Sequence, residues 1–577
     1  MTPCSRADTD RHDRSTTPSS EPFAKWEGTD VSSHETHTTS LYPEVDEATL
    51  AQLVEALETG DTTRLAPARA AEIEETRALA RFSRVRVPGA GGVELDGALW
   101  LHPGDRARPV VVMPSPWTHF GWLLYVAQAT RFALKGYHVL AYTARGFGLS
   151  KGNVEVAGPL DVQDGVAALT FVLSRIDGEP AGVGFLGDSY GSGISQLVAA
   201  HDPRVTAVVA LSTWGDLGEA FYENETRHTA AVEVLRGAAD EKRLSEDTRT
   251  RFDNVRNNED IEGTLDWARE RSPIHHIEAI NNRERPLPVL FANAWHETLF
   301  PTNQLLTTFN ALTGPKRLLL SIGDHSGPEM SGIIGLPNRI WEDAHRWFDH
   351  YLLGVDTGID VEDEVVTEIM WNKTLEGRPT WGAVTGRTER LYLSAPQNGG
   401  DGTLSDKPGA DGQVAFAAGT DTPATVADKI IATGNAELAG NPKVYPTAEI
   451  DRAHAGVWAT APLPVTAELR GVPRLHLTYT VDAAESTLIA YLFDVDAEDN
   501  AHIITHAPFT EPRGESGRPV SLDIALQATG YDVRAGHRLM LVIDTIDPFY
   551  GDATVADSTI SLALSDEDPS HLELPLS

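Results

Sequence analysis

From about Arg84 onward the chain alternates short apolar runs with stretches of helical period. Residues 85–87 and 93–101 flank the turn Gly89-Ala90-Gly91-Gly92 and read as a strand pair. Six further runs, at 110–113, 139–142, 182–186, 207–211, 289–292 and 318–322, are almost wholly apolar. A strand covered on both faces of a parallel sheet needs apolar residues at every position, and these runs supply them. Helical stretches such as 123–135 and 162–174 lie between most of them. The alternation predicts a doubly wound, mostly parallel α/β domain over residues 83–385. One long charged, helix-prone insertion breaks the rhythm after the run at 207–211, with helical stretches at 219–239 and 265–271. Its length and its place after a strand end predict a helical cap over a pocket, spanning about 217–285. The amphipathic helix at 340–353, stopped by Gly354, is read as the end of this core.

Beyond about Arg387 the helical period stops. Segments 390–393, 474–481, 487–494, 521–525 and 538–544 alternate or run apolar, punctuated by Gly, Pro, Asn and Asp. Residues 386–577 therefore read as an all-β domain, a sandwich or jelly roll. At the other end, residues 1–45 are polar with few apolar anchors and read as a disordered tail, since too little surface is buried to offset chain entropy. The scattered histidines of that tail suit a solvated segment better than a metal site. Leu50, Leu53, Val54 and Leu57 recur at helical spacing and place a helical segment over 46–82.

Composition narrows the partners. A net charge of −37 repels phosphates and anionic lipid surfaces, so neither nucleic acid nor a membrane is expected as a partner. Cys4 is the single cysteine, which excludes an intrachain disulfide and a cysteine-based metal site. There is no signal-peptide pattern at the N-terminus and no run of ~18 apolar residues, so a cytoplasmic location is expected. Oligomeric state stays open; a homo-oligomer is compatible with the sequence.

The candidate chemistry centres on Gly187-Asp188-Ser189-Tyr190-Gly191. A G-x-S-x-G pattern alone is weak, but this one follows a buried strand and precedes the helix-like stretch 193–199. Strand, sharp turn and helix present a serine hydroxyl at the sheet edge, and the flanking glycines leave room for the backbone to turn. Serine needs a histidine base, and the base needs an orienting carboxylate. His325, on the loop after the last buried run, is placed for the base; His275, His276, His345 and His350 lie in the cap segment or on the last helix. For the acid, Glu297 follows the run at 289–292 and fits the chain order Ser, acid, His, with Asp216 as the alternative. Asp324 adjoins His325 in sequence, and neighbours rarely converge. The oxyanion hole needs two donors. One is the Tyr190 backbone N–H; the other should come from the loop Pro114-Ser115-Pro116-Trp117-Thr118. Arg145-Gly146-Phe147-Gly148 lacks the pattern of a nucleotide-binding loop and reads as a tight turn, so no cofactor is implied.

Together with this elbow, the stretches ARGFGLSKG from Ala144, ANAWHETLFP around Glu297, GDHSG around His325 and WFDHYLLG from Trp347 resemble CocE/NonD-type hydrolases. These are related to the Xaa-Pro dipeptidyl-peptidases, cocaine esterase and α-amino acid ester hydrolases. RLYLSAP from Arg390 and GHRLMLVI from Gly536 are similar to that family's C-terminal jelly roll, so the resemblance covers roughly residues 80–577. It implies an α/β-hydrolase fold, a Ser189–Glu297–His325 triad, and an ester, amide or short-peptide substrate. Two departures stand out: the family's usual acid is Asp, and Trp117 occupies the place of its oxyanion tyrosine. Either the Trp117 indole N–H or a neighbouring backbone N–H then serves as second donor. Glu223 and Glu225, in the cap, are candidates for holding a substrate amino terminus, against the alternative of a solvated helix face. An acyltransferase using the same acyl-enzyme, and a non-catalytic binding protein on the same fold, are the rival readings.

Overall fold

The computed structural model describes residues 41–42, 45–396, 400–409, 411–426 and 430–577, and the expectation of a tail over residues 1–40 lies outside them. Asp46 caps the first helix, α1 (Glu47–Thr59), by accepting from the backbone N–H groups of Ala48 and Thr49. Gly60, at φ 83°, ends it in the left-handed conformation that a helix C-terminus favours. Leu50, Leu53, Val54 and Leu57 form its buried face, as their spacing requires. A second helix, α2 (Pro67–Leu79), follows with Pro in its first turn. Just ahead of α1, Leu41, Tyr42 and Val45 are buried, so the polar-tail reading does not extend to these three residues.

A ten-stranded sheet forms the centre of the first domain. Its strands are β1 (Arg81–Pro88), β2 (Glu94–Leu101), β3 (Val110–Pro114), β4 (His138–Tyr142), β5 (Val183–Asp188), β6 (Ala207–Leu211), β7 (Val289–Ala294), β8 (Lys316–Ser321), β9 (Val365–Glu368) and β10 (Leu375–Arg378). They lie in the order β1-β2-β4-β3-β5-β6-β7-β8-β9-β10. The pairs from β4 through β9 are parallel, with antiparallel strands at both edges. β3 to β7 are buried at every position, which is why their sequences show no polar alternation. Helices α3 (Val126–Leu134), α4 (Pro159–Leu173) and α5 (Tyr190–His201) provide crossovers between the parallel strands. The sheet continues past the helix at Arg339–Leu353, which the sequence suggested was its end: β9 adds in parallel beside β8. β9 has only four residues and mixes apolar with polar ones, too short a run to read as a buried strand.

The insertion between β6 and β7 is helical, but not one long helix from Glu219. Leu217–Phe221 ends at a short 3-10 turn holding Asn224 at φ 49°, and Thr229–Ala238 restarts beyond it. Glu246–Asn257 and Ile261–Arg269 complete the cap.

From Arg387 the described residues form thirteen strands of a β-rich domain. One of its strands, Ser486–Val495, is buried throughout. Leu488, Ala490 and Leu492 enter the large core shared with the first domain, while Ile489, Tyr491, Phe493 and Val495 face a second, smaller core. The period of two thus builds two hydrophobic layers from one strand. One helix, Ala432–Leu438, interrupts the strands where the sequence showed no helical period, and it packs on the catalytic domain: a Cβ on Gly434 would come within 2.8 Å of the Asp324 Cβ. Among the described residues, no helix is long and apolar enough to cross a membrane.

Because one continuous apolar core runs through both domains, a chain truncated after residue 386 should expose apolar surface and be insoluble. A truncated protein that stays soluble and keeps its melting transition would show that the domains fold independently.

Candidate active site

Ser189 stands between β5 and α5 with φ 53° and ψ −121°, a conformation that costs a non-glycine residue of order 1–3 kcal/mol. The turn is this sharp because backbone meets backbone. A Cβ on Gly187 would lie 2.0 Å from the Gly191 carbonyl carbon, and one on Gly191 would lie 2.1 Å from the Pro114 oxygen. Neither position admits any other side chain. The Ser189 N–H donates to Leu211 O at 2.9 Å, tying the elbow to the end of β6.

Ser189 Oγ lies 2.7 Å from His325 Nε2, and His325 Nδ1 lies 2.9 Å from Glu297 Oε1. A carboxylate only accepts, so Nδ1 carries the proton and Nε2 is left to accept from the serine hydroxyl. All three side chains are buried, with Ser189 1% exposed. Burial alone would lower the His325 pKa. The charge and hydrogen bond of Glu297, with further contributions from Asp188 and Asp324, outweigh it and raise the imidazole above its ordinary value.

Glu297 Oε1 also accepts from the backbone N–H groups of Leu299 (3.1 Å) and Phe300 (3.3 Å). The loop after β7 therefore curls around the carboxylate and fixes one oxygen toward the histidine. Asp324 does not compete for the imidazole. Its Oδ1 accepts from Thr298 N (2.8 Å), Thr298 Oγ1 (2.9 Å) and its neighbour's own His325 N (2.7 Å), which pins the acid loop to the base loop. Burial, then the nearby Glu297 charge, pushes the Asp324 carboxyl up to about 7. Asp216 caps the first cap helix through Gly218 N (2.9 Å) and Glu219 N (3.3 Å), so its carboxylate serves the cap.

The Tyr190 N–H is the first of α5 and has no acceptor within the helix. The expectation for the Trp117 indole is not met: its Nε1–H donates to the cap carbonyl of Leu235 at 2.9 Å. The ring instead forms a wall, edge-on to Phe147 (5.0 Å between centroids) and Tyr190 (5.1 Å). In the loop after β3, Pro114 and Pro116 have no N–H, Ser115 N–H donates to Tyr142 O, and Thr118 N–H donates to Pro116 O. The Trp117 backbone N–H is the remaining amide of that loop.

Glu223 and Glu225 do not converge. Glu225 is exposed, at φ 61°, whereas Glu223 is buried and accepts from the Gln527 amide of the β domain. Burial, reinforced by the charge of Glu219, pushes the Glu223 carboxyl up to about 8. It lines a cavity of about 30 Å³ with Glu297, Asp324, His506 and Tyr550, where cap, catalytic loops and β domain meet. Among the described residues, no group of three or more His, Cys, Asp or Glu is arranged to hold a metal ion.

Three polar groups next to the triad escaped the sequence reading. The Tyr42 hydroxyl donates to Asp188 Oδ2 at 2.7 Å, and Ser326 Oγ donates to the same oxygen at 2.9 Å. Asp188 sits inside the serine motif and Ser326 beside the base, but nothing local announces Tyr42 except the apolar trio it forms with Leu41 and Val45 in a polar stretch.

Residues 91–327 match the X-Pro dipeptidyl-peptidase (S15 family), and residues 357–571 match the X-Pro dipeptidyl-peptidase C-terminal non-catalytic domain. Among solved structures, an aminopeptidase from a marine sediment Thaumarchaeota archaeon is similar at TM-score 0.65 and 15% identity, over 86% of this chain and 97% of that one. An α-amino acid ester hydrolase is similar at TM-score 0.63 and 16% identity, over 86% and 97%. A CocE/NonD family hydrolase from Staphylococcus aureus is similar at TM-score 0.66 and 14% identity, over 86% and 94%. At such identities the likeness is one of fold. In sequence, an acyltransferase of Aspergillus calidoustus is 22% identical over 250 residues, 38% of this chain and 76% of that protein. Matched in both its catalytic and its C-terminal domain, the chain belongs to the X-Pro dipeptidyl-peptidase (S15) family of hydrolases.

Proposed function

We propose that the chain cleaves an ester, amide or short-peptide bond through an acyl-enzyme on Ser189, with His325 as base and Glu297 as orienting acid. The continuous path from Ser189 Oγ through the imidazole to Glu297, at 2.7 and 2.9 Å, carries this reading. His325 Nε2 takes the hydroxyl proton as Oγ attacks the carbonyl carbon. The imidazolium that forms is stabilised by the Glu297 carboxylate. The tetrahedral oxyanion is held by the backbone N–H groups of Tyr190 and Trp117, the first at a helix N-terminus whose dipole favours negative charge. His325 then returns its proton to the departing alcohol or amine, and water, activated the same way, releases the acid. Glu223 is buried against the Gln527 amide and Glu225 is exposed, so the two do not form a paired carboxylate site.

Acyl transfer is the second reading. The similarity to the Aspergillus calidoustus acyltransferase and the near-complete burial of Ser189 favour it, because a site closed to bulk water lets an alcohol or amine intercept the acyl-enzyme. Product analysis with an activated ester, with and without an added alcohol or amine acceptor, separates the two.

Ser189→Ala should abolish turnover and fluorophosphonate labelling while leaving the melting temperature unchanged; more than trace activity in the purified variant would remove Ser189 as nucleophile. Glu297→Gln should lower kcat by about 10⁴-fold, as loss of a triad carboxylate does, whereas Asp216→Asn should leave kcat near wild type. Glu297→Asp should also lose activity, because a shorter side chain cannot reach His325 and the Leu299 and Phe300 amides together. Equal activity would show that the loop accepts either length.

Since His325 must be neutral to act as base and its pKa is raised, kcat/KM should climb through an apparent pKa above the ordinary imidazole value of about 6.5. A limb at or below that value would contradict the electrostatics of the site. Trp117→Phe keeps the backbone N–H and loses the bond to Leu235 O together with part of the buried ring. It should cost about 1–3 kcal/mol of stability from the stranded carbonyl, with kcat preserved; a collapse of kcat in a folded variant would return the oxyanion role to the indole.

A further inference from the structure

The nucleophile and the base come from loops far apart in sequence, and each loop carries one residue in a costly backbone conformation at or beside the reacting side chain. Ser189 has φ 53° and Ser326, directly after His325, has φ 55°. Strain of this kind persists only where surrounding contacts over-determine it. The contacts are a closed triangle. Tyr42 Oη is 2.7 Å from Asp188 Oδ2, Ser326 Oγ is 2.9 Å from the same oxygen, and the two hydroxyls are 3.4 Å apart. Asp188 immediately precedes the nucleophile and Ser326 immediately follows the base. A single carboxylate oxygen thus spans the two catalytic loops one residue away from each reacting side chain.

The triangle is anchored on all sides. The Asp188 N–H donates to the Tyr125 hydroxyl at 2.8 Å, and the Ser326 N–H donates to Ser212 Oγ at 2.8 Å. Tyr42 is fully buried, and it arrives from the segment ahead of α1, outside the sheet and its crossovers. Asp188 is also one of the charges that raise the imidazole of His325, after Glu297. Burial pushes the Asp188 carboxyl up to about 6, and the hydrogen bonds from Tyr42 and Ser326 pull against that rise.

We propose that Tyr42 is a positioning residue for the triad: its hydroxyl, through Asp188 and Ser326, sets the alignment of Ser189 Oγ with His325 Nε2. The segment before α1 is then part of the catalytic apparatus, although it touches no substrate. The inference rests on the serine-hydrolase reading above. Proximity effects make small misalignments expensive, so loss of one donor should show in the rate of the serine itself rather than in substrate affinity.

The test uses the full chain and a fluorophosphonate probe, whose rate of covalent attachment reports the Ser–His alignment without a substrate. Tyr42→Phe removes only the hydroxyl. Labelling and kcat should both fall by about tenfold with KM changed little. Ser326→Ala should behave alike, and the double variant should lose little more than either single, because both cut the same clamp. Tyr137→Phe is the control: it removes the hydroxyl of another buried tyrosine, whose bond at 2.9 Å goes to the partly exposed carboxylate of Asp349, away from the Ser189 and His325 loops. It should lower the melting temperature without slowing labelling. Wild-type labelling in Tyr42→Phe, or equal slowing in Tyr137→Phe, would overturn the proposal. Should Tyr42→Phe fail to fold, Ser326→Ala interrogates the same oxygen from the base side. A wild-type chain that resists the probe would instead overturn the triad reading, and the inference with it.

Discussion

Where α5 leaves the end of β5, three stretches of backbone occupy one spot. Gly187 passes against Gly191, Gly191 passes against the carbonyl of Pro114, and no Cβ fits at either glycine. That close approach turns Ser189 into its strained conformation. It also brings the Pro114 loop to the first turn of α5, where unpaired N–H groups gather. The proposed nucleophile and oxyanion donors are therefore products of the same packing. A change that widened the crossing would lose both together. The burial of β3, β5 and β6 on both faces supplies the rigidity this crossing needs.

The acid side depends on a different kind of support, since Glu297 lies on a loop rather than at a strand–helix crossing. Three partners hold that loop. Its own amides wrap the carboxylate, Asp324 ties it to the base, and the β domain grips the residue before it. His296 donates to Glu437 at 2.6 Å and to the Ile504 carbonyl at 3.1 Å. Burial works against a charged His296, but the charge and hydrogen bond of Glu437 win and push it up to about 9. A family domain described as non-catalytic thus contacts the catalytic loop one residue from its carboxylate.

Several carboxyl groups surround one imidazole here, and burial treats the two kinds of group in opposite ways. Asp188 and Asp324 are pushed up, to about 6 and about 7, because water is excluded. His325 is raised in spite of the same burial, because the acids near it add. In the proposed mechanism these charges favour the imidazolium that would form once the serine proton is transferred.

The strands β3 to β8 and the sharp turn at Ser189 were legible in the sequence, and for a local reason. A strand buried on both faces writes itself as a continuous apolar run, and a crossing of bare backbones writes itself as Gly-x-Ser-x-Gly. Glu297 and His325 could be found because chain order and strand ends restrict where a triad can be assembled. Short elements escaped: β9 is too brief to show a period, and the helix at Ala432–Leu438 lies among strands. What no local pattern could decide was which donor meets which acceptor. The Trp117 indole suits an oxyanion, yet it is taken by Leu235 of the cap; Tyr42 sits in a polar stretch, yet its hydroxyl finds Asp188. Hydrogen-bond partners are chosen by proximity in space. Residues separated by over a hundred positions acquire that proximity only when the sheet, the cap and the segment before α1 have packed.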